Sequence, residues 1–168
     1  MAAAMTVTTD STIETVRLRK VFAAYPSGVT AVAAMVGDDP RGLAASSFTS
    51  VSLEPALVSV CVAHTSSTWP LLRDRPHLGV SVLAAHQHQA GRDLSGPSAD
   101  RFRDVVWRSS RLGAVFVEGA SAWLETSIDN VIRAGDHDIV VLRVLDLGVD
   151  GDAEPLVFHG SAFRRLAS

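Results

Sequence analysis

The chain has a single cysteine, Cys61, and a single lysine, Lys20; the other 14 of its 15 cationic residues are arginine. One cysteine excludes a disulfide framework and any multi-cysteine zinc or iron–sulfur centre. One lysine, in an N-terminal stretch without a phosphate-loop motif around it, excludes lysine Schiff-base chemistry, Ser-Lys catalysis and Walker-type phosphate binding. The arginine-for-lysine bias itself is what a GC-rich genome produces. Formal charge is −3, so the basic stripe that phosphate neutralisation requires is missing, and a general nucleic-acid binder is excluded. No apolar run approaches the roughly 20 residues of a membrane-spanning helix. Residues 1–12, MAAAMTVTTDST, lack a basic region ahead of an apolar segment. They read as a short disordered tail over 1–11 leading into one domain over 12–168, with a cytoplasmic location expected. GxSxG is absent, GxGxxG follows no strand, and His86-x-His88 supplies two imidazoles without a third ligand. Serine-hydrolase, Rossmann and metal-site readings therefore have no footing, and no metal is expected.

What remains is a chain of 168 residues, 47% of them hydrophobic, long enough to bury about 68–70% of its unfolded surface without staples. Ser11-Thr12-Ile13-Glu14 has capping-box spacing, and Ile13, Val16 (or Leu18), Val21 and Phe22 continue as an apolar stripe, predicting a helix that Pro26 and Gly28 stop. Strands are predicted at 29–36, 42–52, 57–63, 78–83, 115–117, 121–132, 138–147, 156–158 and 162–166. Short helices are predicted at 65–73, with Pro70 in the first turn, and at 87–94. Many short strands with a few peripheral helices indicate a mainly β fold, a small barrel or sandwich.

Five segments carry more than their class. In 57–63 and 78–83, large apolar residues alternate with small ones, so each strand has one shallow face. That face serves either close packing inside a narrow barrel or contact with a flat ligand. Thr65-Ser66-Ser67-Thr68-Trp69-Pro70 runs hydroxyls into a helix start. Free backbone N–H groups there suit an anion, and ordinary N-capping by Ser67 or Thr68 is the alternative. The hydroxyl-rich 44–52 is either a wet edge strand or a polar track for a ligand, and Gly135-Asp136-His137-Asp138 is a turn between two long strands. Cys61 reads as a small core residue.

Tyr25–Thr30, Gly42–Val60 (GLAASSFTSVSLEPALVSV), Thr65–Pro70, Gly135–Val144 (GDHDIVVLRV) and Pro155–Leu166 (PLVFHGSAFRRL) occur in an order that resembles the flavin reductase component of two-component flavin-dependent monooxygenases. The resemblance spans about residues 18–166. It implies a split β-barrel of Greek-key type with a few peripheral helices, usually a homodimer. It implies binding of FMN or FAD, hydride uptake from NADH or NADPH, and release of reduced flavin to a separate monooxygenase. By position, the flavin would contact Arg41, Gly42, Leu43, Ala44, Ser46, Ser47, Cys61, Val62 and Ala63. Its phosphate would meet Ser66, Ser67 and Thr68, and the nicotinamide would lie against His137, Phe158 and His159, with no catalytic residue needed beyond the flavin. The chain departs from the pattern at Ala44 (commonly Thr), Ser81 (commonly Asn), Leu142 (commonly Gly) and Asp93 (often a flavin-contacting Arg, with Arg92 next door). A non-catalytic flavin- or haem-binding split-barrel module is the competing expectation, with His64, His137 or His159 as a possible axial ligand.

Overall fold

The computed structural model describes residues 13–97 and 100–166; the proposed tail at 1–11 and the serine and threonine of the capping box lie outside them. In chain order the elements are α1 (Thr15–Phe22), β1 (Ser27–Gly28), β2 (Thr30–Val36), β3 (Asp39–Ala45), β4 (Thr49–Leu53), β5 (Ala56–Ala63), α2 (Trp69–Leu72) and β6 (Leu78–Val82). They continue as α3 (His88–Ser95), β7 (Trp107–Ser109), β8 (Val115–Val117), β9 (Ala122–Ala134), β10 (His137–Val149), β11 (Val157–His159) and β12 (Ala162–Arg164). Seven strands form one antiparallel sheet in the order β3-β2-β6-β9-β10-β5-β4. It curls until β3 contacts β5 at its other side, which makes the expected split barrel.

The closure depends on a corner that the sequence pattern hides. The continuous strand predicted over 42–52 breaks at 46–48 into β3 and β4, which occupy opposite edges of the sheet order. Ser47 explains the break. Its Oγ accepts the Cys61 N–H at 2.8 Å and donates to the Cys61 carbonyl at 3.2 Å. One side chain thus satisfies both backbone groups of a β5 residue, replacing a ladder rung while the main chain turns.

Both faces of β2 are buried, which accounts for its unbroken apolar run. Val32 and Ala34 join Leu43, Val58, Val60, Val62, Trp69, Leu72, Leu78, Val80, Val140 and Leu142 in the barrel core. Ala31 and Ala33 face a second core with Leu83, Leu94, Phe102, Val105, Val115, Val117 and Leu156. The period-two alternation of β5 sends Val58, Val60 and Val62 inward. Cys61 consequently lies on the opposite side and is exposed, correcting its reading as a core residue.

In β6 the small face has a packing role. A Cβ on Gly79 would stand 2.0 Å from the Val115 carbonyl oxygen, and Ser81 Oγ accepts the Val117 N–H at 2.9 Å. The β7–β8 hairpin, whose first strand the pattern did not reveal, lies directly on β6. Of the two shallow faces, this one serves close packing.

The β9–β10 hairpin is longer than predicted and tightly closed: Ala134 pairs with His137 across Gly135-Asp136, and Gly135 supplies the positive φ of +65° that the two-residue turn needs. At the other end of the chain, α1 buries none of its residues. Its apolar stripe is left open, with Val16 78% and Phe22 67% exposed. No helix among the described residues is long and apolar enough to cross a membrane.

Candidate functional site

The start of β3, the start of α2 and the segment after α3 converge on a cleft of about 460 Å³. Val36, Pro40, Leu71, Pro97 and Phe102 supply its apolar lining, and Arg41, Gly42, Ser67, Thr68 and Arg101 its polar groups. Among the described residues no carboxylate lines it. Four of these are residues that the sequence marked: Arg41, Gly42, Ser67 and Thr68. Asp39 pairs with Arg41 at 3.2 Å.

The helix at 65–73 contracts to Trp69–Leu72, and the hydroxyls divide their work. Ser66 Oγ accepts the Trp69 N–H at 3.1 Å, so the cap is made by Ser66 and not by Ser67 or Thr68. Thr68 is buried, lines the cleft and makes no side-chain cap to the helix. A single capping hydroxyl suffices for so short a helix, and neither Ser67 nor Thr68 is used for it.

Arg101 was not among the residues picked from sequence. Its Nη1 donates to the Gly42 carbonyl at 3.2 Å and the Leu94 carbonyl at 3.1 Å, joining β3 to α3. Burial lowers its pKa from the ordinary arginine value, yet a guanidinium stays charged in proteins. The signal that could have found it is local: Phe102 and Val105 are buried apolar residues in an otherwise polar stretch, and they fix the segment that presents Arg101.

The other marked residues fall elsewhere. Ala44 and Ser46 share a hollow of about 100 Å³ with Val29, Ser95, Phe158 and Phe163; Phe158 and Phe163 pack edge to face. Leu43 and Val62 are core side chains, so only their backbone is available to a ligand. His159 lines a third cleft with Arg19, Lys20 and the β11–β12 turn.

His137 stands opposite Ala63 at the head of β10. Its Nδ1 is 2.8 Å from Asp136 Oδ1, and the imidazole holds the Asp136 carboxyl below its usual pKa, by hydrogen bonding first and charge second. Close by, His64 Nε2 is 2.8 Å from Asp138 Oδ1, and the His64 N–H donates to the Asp136 carbonyl. His137 therefore belongs to a knot of histidine and aspartate at the β5–β10 end. Among the described residues no hydrogen bond joins it to Phe158 or His159.

Residues 22–167 match the flavin reductase like domain family. The chain belongs to that family. This flavin reductase-like chain is 40% identical over 157 residues to the NADH-dependent FAD reductase of Streptomyces globisporus, covering 90% of itself and 86% of the relative. It is 35% identical to a flavin reductase of Pseudomonas putida, with 94% of each chain covered. The chain spans about half of a longer relative, the reductase component of the flavin-dependent trigonelline monooxygenase of Acinetobacter baylyi (36% identity, 87% of this chain and 47% of that one). Among solved structures it superposes on the NADH:FAD oxidoreductase of Streptomyces globisporus C-1027 in complex with NAD and FAD fragments, with a TM-score of 0.85 and 40% identity over 90% of this chain and 92% of that one. The flavin reductase component of a bacterial two-component tryptophan halogenase gives a TM-score of 0.83 at 33% identity, covering 92% and 99%.

Proposed function

We propose that this flavin reductase-like chain is an NAD(P)H:flavin oxidoreductase that reduces FMN or FAD and supplies the reduced flavin to a separate monooxygenase. The observation that carries the reading is the cleft, where, with no carboxylate among its described lining residues, Arg41 and Arg101 provide cations and Ser67 and Thr68 provide hydroxyl donors. That donor set fits the phosphate of a flavin nucleotide, since charge-assisted contacts from arginine and hydroxyl groups are the strong ones for such anions. When bound, flavin supplies the hydride chemistry. The chain's own part is to hold and orient. Arg41, Gly42, Ser67 and Thr68 grip the phosphate end, the Ala44–Ser46 backbone beside Phe158 borders the ring system, and His137 positions the nicotinamide.

The competing reading, a non-catalytic flavin- or haem-binding module, loses one candidate axial ligand at His64, whose Nε2 already meets Asp138 Oδ1, and turnover of NAD(P)H separates the two readings. The experiment is direct: purified protein, mixed with NADH or NADPH and added riboflavin, FMN or FAD, is followed by loss of reduced nicotinamide absorbance. Flavin-dependent oxidation well above the protein-free rate is expected; no acceleration with any flavin would end the oxidoreductase reading.

The active form in this proposal is a homodimer. The exposed stripe of α1 and the apolar Leu145, Leu147 and Val149 near the end of β10 are surfaces that a second copy would cover. Light scattering at micromolar concentration should then give about 36 kDa, twice the 17.8 kDa chain. A value near the chain mass would refute the dimer.

A further inference from the structure

His64 stands one residue beyond β5, where the ladder with β10 ends at the Ala63–His137 pair. Two of its groups reach back across that end. Its backbone N–H donates to the Asp136 carbonyl at 2.9 Å, and its Nε2 lies 2.8 Å from Asp138 Oδ1. His64 thus holds the residue before His137 and the residue after it, while His137 turns its own ring to Asp136.

The register makes this reach possible. With Ala63 opposite His137, Val62 stands opposite Asp138. Residues 62 and 64 share a face of the strand, so His64 and Asp138 form a diagonal pair, which long side chains can span. A carboxylate only accepts, so Nε2 of His64 carries the proton. The pair is partly sheltered, the imidazole 33% and the carboxylate 24% exposed. Arg133 lies opposite Asp138 on β9 but makes no ion pair with it among the described residues, which leaves the imidazole as the partner of that carboxylate.

The tie matters because of where it sits. His137 is paired on its other side with Ala134, which belongs to the same hairpin and moves with it. Only β5 relates the hairpin tip to the rest of the sheet. Its last rung is at the end of the strand, where ladders fray. A group displaced by about 1 Å can cost as much as 100-fold in rate, so a second tie at this end has a function that the backbone rung alone does not serve.

We infer that His64 is a positioning residue: paired with Asp138, it clamps the tip of the β9–β10 hairpin to the end of β5 and so sets where the His137 ring stands to meet the nicotinamide. It acts through His137 and not on the hydride donor. This rests on the flavin reductase reading and on the nicotinamide role of His137, and adds what holds that ring in place.

The test uses His64→Ala, His64→Gln, Asp138→Asn, His137→Ala and the double variant His64→Ala/His137→Ala. Three measurements are made on each: amide hydrogen exchange of the ligand-free protein, NADH kinetics at saturating flavin, and a flavin titration. In His64→Ala the amides of residues 136–138 should exchange about 10-fold faster, with Val60 and Val140 unchanged. Its kcat/KM for NADH should fall by about 3- to 10-fold, the loss of one partly exposed hydrogen-bonded pair, with flavin affinity within about twofold of wild type. His64→Gln keeps an N–H donor and Asp138→Asn keeps an acceptor oxygen, so both should lie between His64→Ala and wild type. Once His137 is alanine, His64→Ala should cost nothing further in kcat/KM, because the ring it positions is gone.

An undiminished loss in the double variant would overturn the inference, as would unchanged exchange at the hairpin tip or a matching loss of flavin affinity. Circular dichroism checks each fold. If His64→Ala fails to fold, His64→Gln and Asp138→Asn decide, each made with and without His137→Ala. Failure of the underlying reading looks different: His137→Ala by itself would leave NADH kinetics at the wild-type level, and the inference would fall with it.

Discussion

His137→Ala should lower kcat/KM for NADH or NADPH by about 10- to 100-fold, the loss of one or two good polar contacts at roughly 1.4 kcal/mol per decade. The reasoning starts at the hairpin. The Gly135-Asp136 turn sets His137 as the first residue of β10, paired with Ala63 on one side and Ala134 on the other, so its backbone is held on both sides. Its Nδ1 faces the Asp136 carboxylate, which stays ionised because its pKa is depressed. A carboxylate only accepts, so Nδ1 carries the proton, and in the neutral ring Nε2 is left as an acceptor. An acceptor there can receive the N–H of a carboxamide. Removing the ring takes away an interaction made with the hydride donor in both ground and transition states, so KM rises, and kcat falls to the extent that alignment is lost. Steady-state kinetics with NADH at saturating flavin, beside a flavin binding titration, separates the outcomes. Unchanged kinetics would leave His137 as a hairpin residue, and lost flavin affinity would move it into the flavin site. Acid should mimic part of the effect. The folded pKa of Asp136 lies below the unfolded one, so the carboxylate that accepts from Nδ1 is fully ionised above the ordinary carboxylate range and is lost as pH falls through the depressed value.

A second large effect is expected in the core. Gly79→Ala should destabilise the protein by roughly 3 kcal/mol, the upper end of overpacking changes, because the added methyl meets backbone. Its Cβ would lie 2.0 Å from the Val115 carbonyl oxygen, 2.7 Å from the carbonyl carbon and 2.9 Å from the Val115 nitrogen. No rotamer relieves such a contact. Gly79 also sits in a strand paired on both sides, opposite Ala33 of β2 and Glu125 of β9, so β6 cannot retreat and β8 must lift. For a chain of this size the melting temperature should drop by roughly 6–12 °C. Gly151→Ala, where a methyl meets nothing within 4 Å, is the control and should melt close to wild type. A Gly79→Ala variant with unchanged melting would show that the β7–β8 hairpin is not pressed onto β6.

Strand content and position were legible wherever alternation or a continuous apolar run made one answer cheapest. β2, β5, β6 and the paired β9 and β10 were found on such patterns, with ends differing by a few residues. Three features were not legible, and each is decided by what the folded chain places, or does not place, against the segment. The break between β3 and β4 requires Ser47 to meet Cys61, 14 residues away; read locally, the hydroxyl-rich segment is one strand. β7 is three residues long and exists only by pairing with β8. The stripe on α1 is a sound amphipathic pattern, but the single chain provides no surface to bury it.

The candidate site divides in the same manner. Arg41, Gly42, Ser67 and Thr68 were marked from sequence and meet in one cleft, although which hydroxyl caps α2 was decided by geometry in favour of Ser66. Arg101 was not marked, because its place is fixed by the carbonyls of Gly42, 59 residues earlier, and Leu94. Composition and the order of motifs determined the excluded chemistries, the mainly β class and the family. Tertiary structure alone decided that the small face of β6 packs protein, that Cys61 faces outward, and that Arg101 joins β3 to α3 at the cleft. The physical reason is range: alternation, turn chemistry and capping act over a few residues, whereas closure of the barrel and the placing of charge around a cleft are set by groups that only folding brings together.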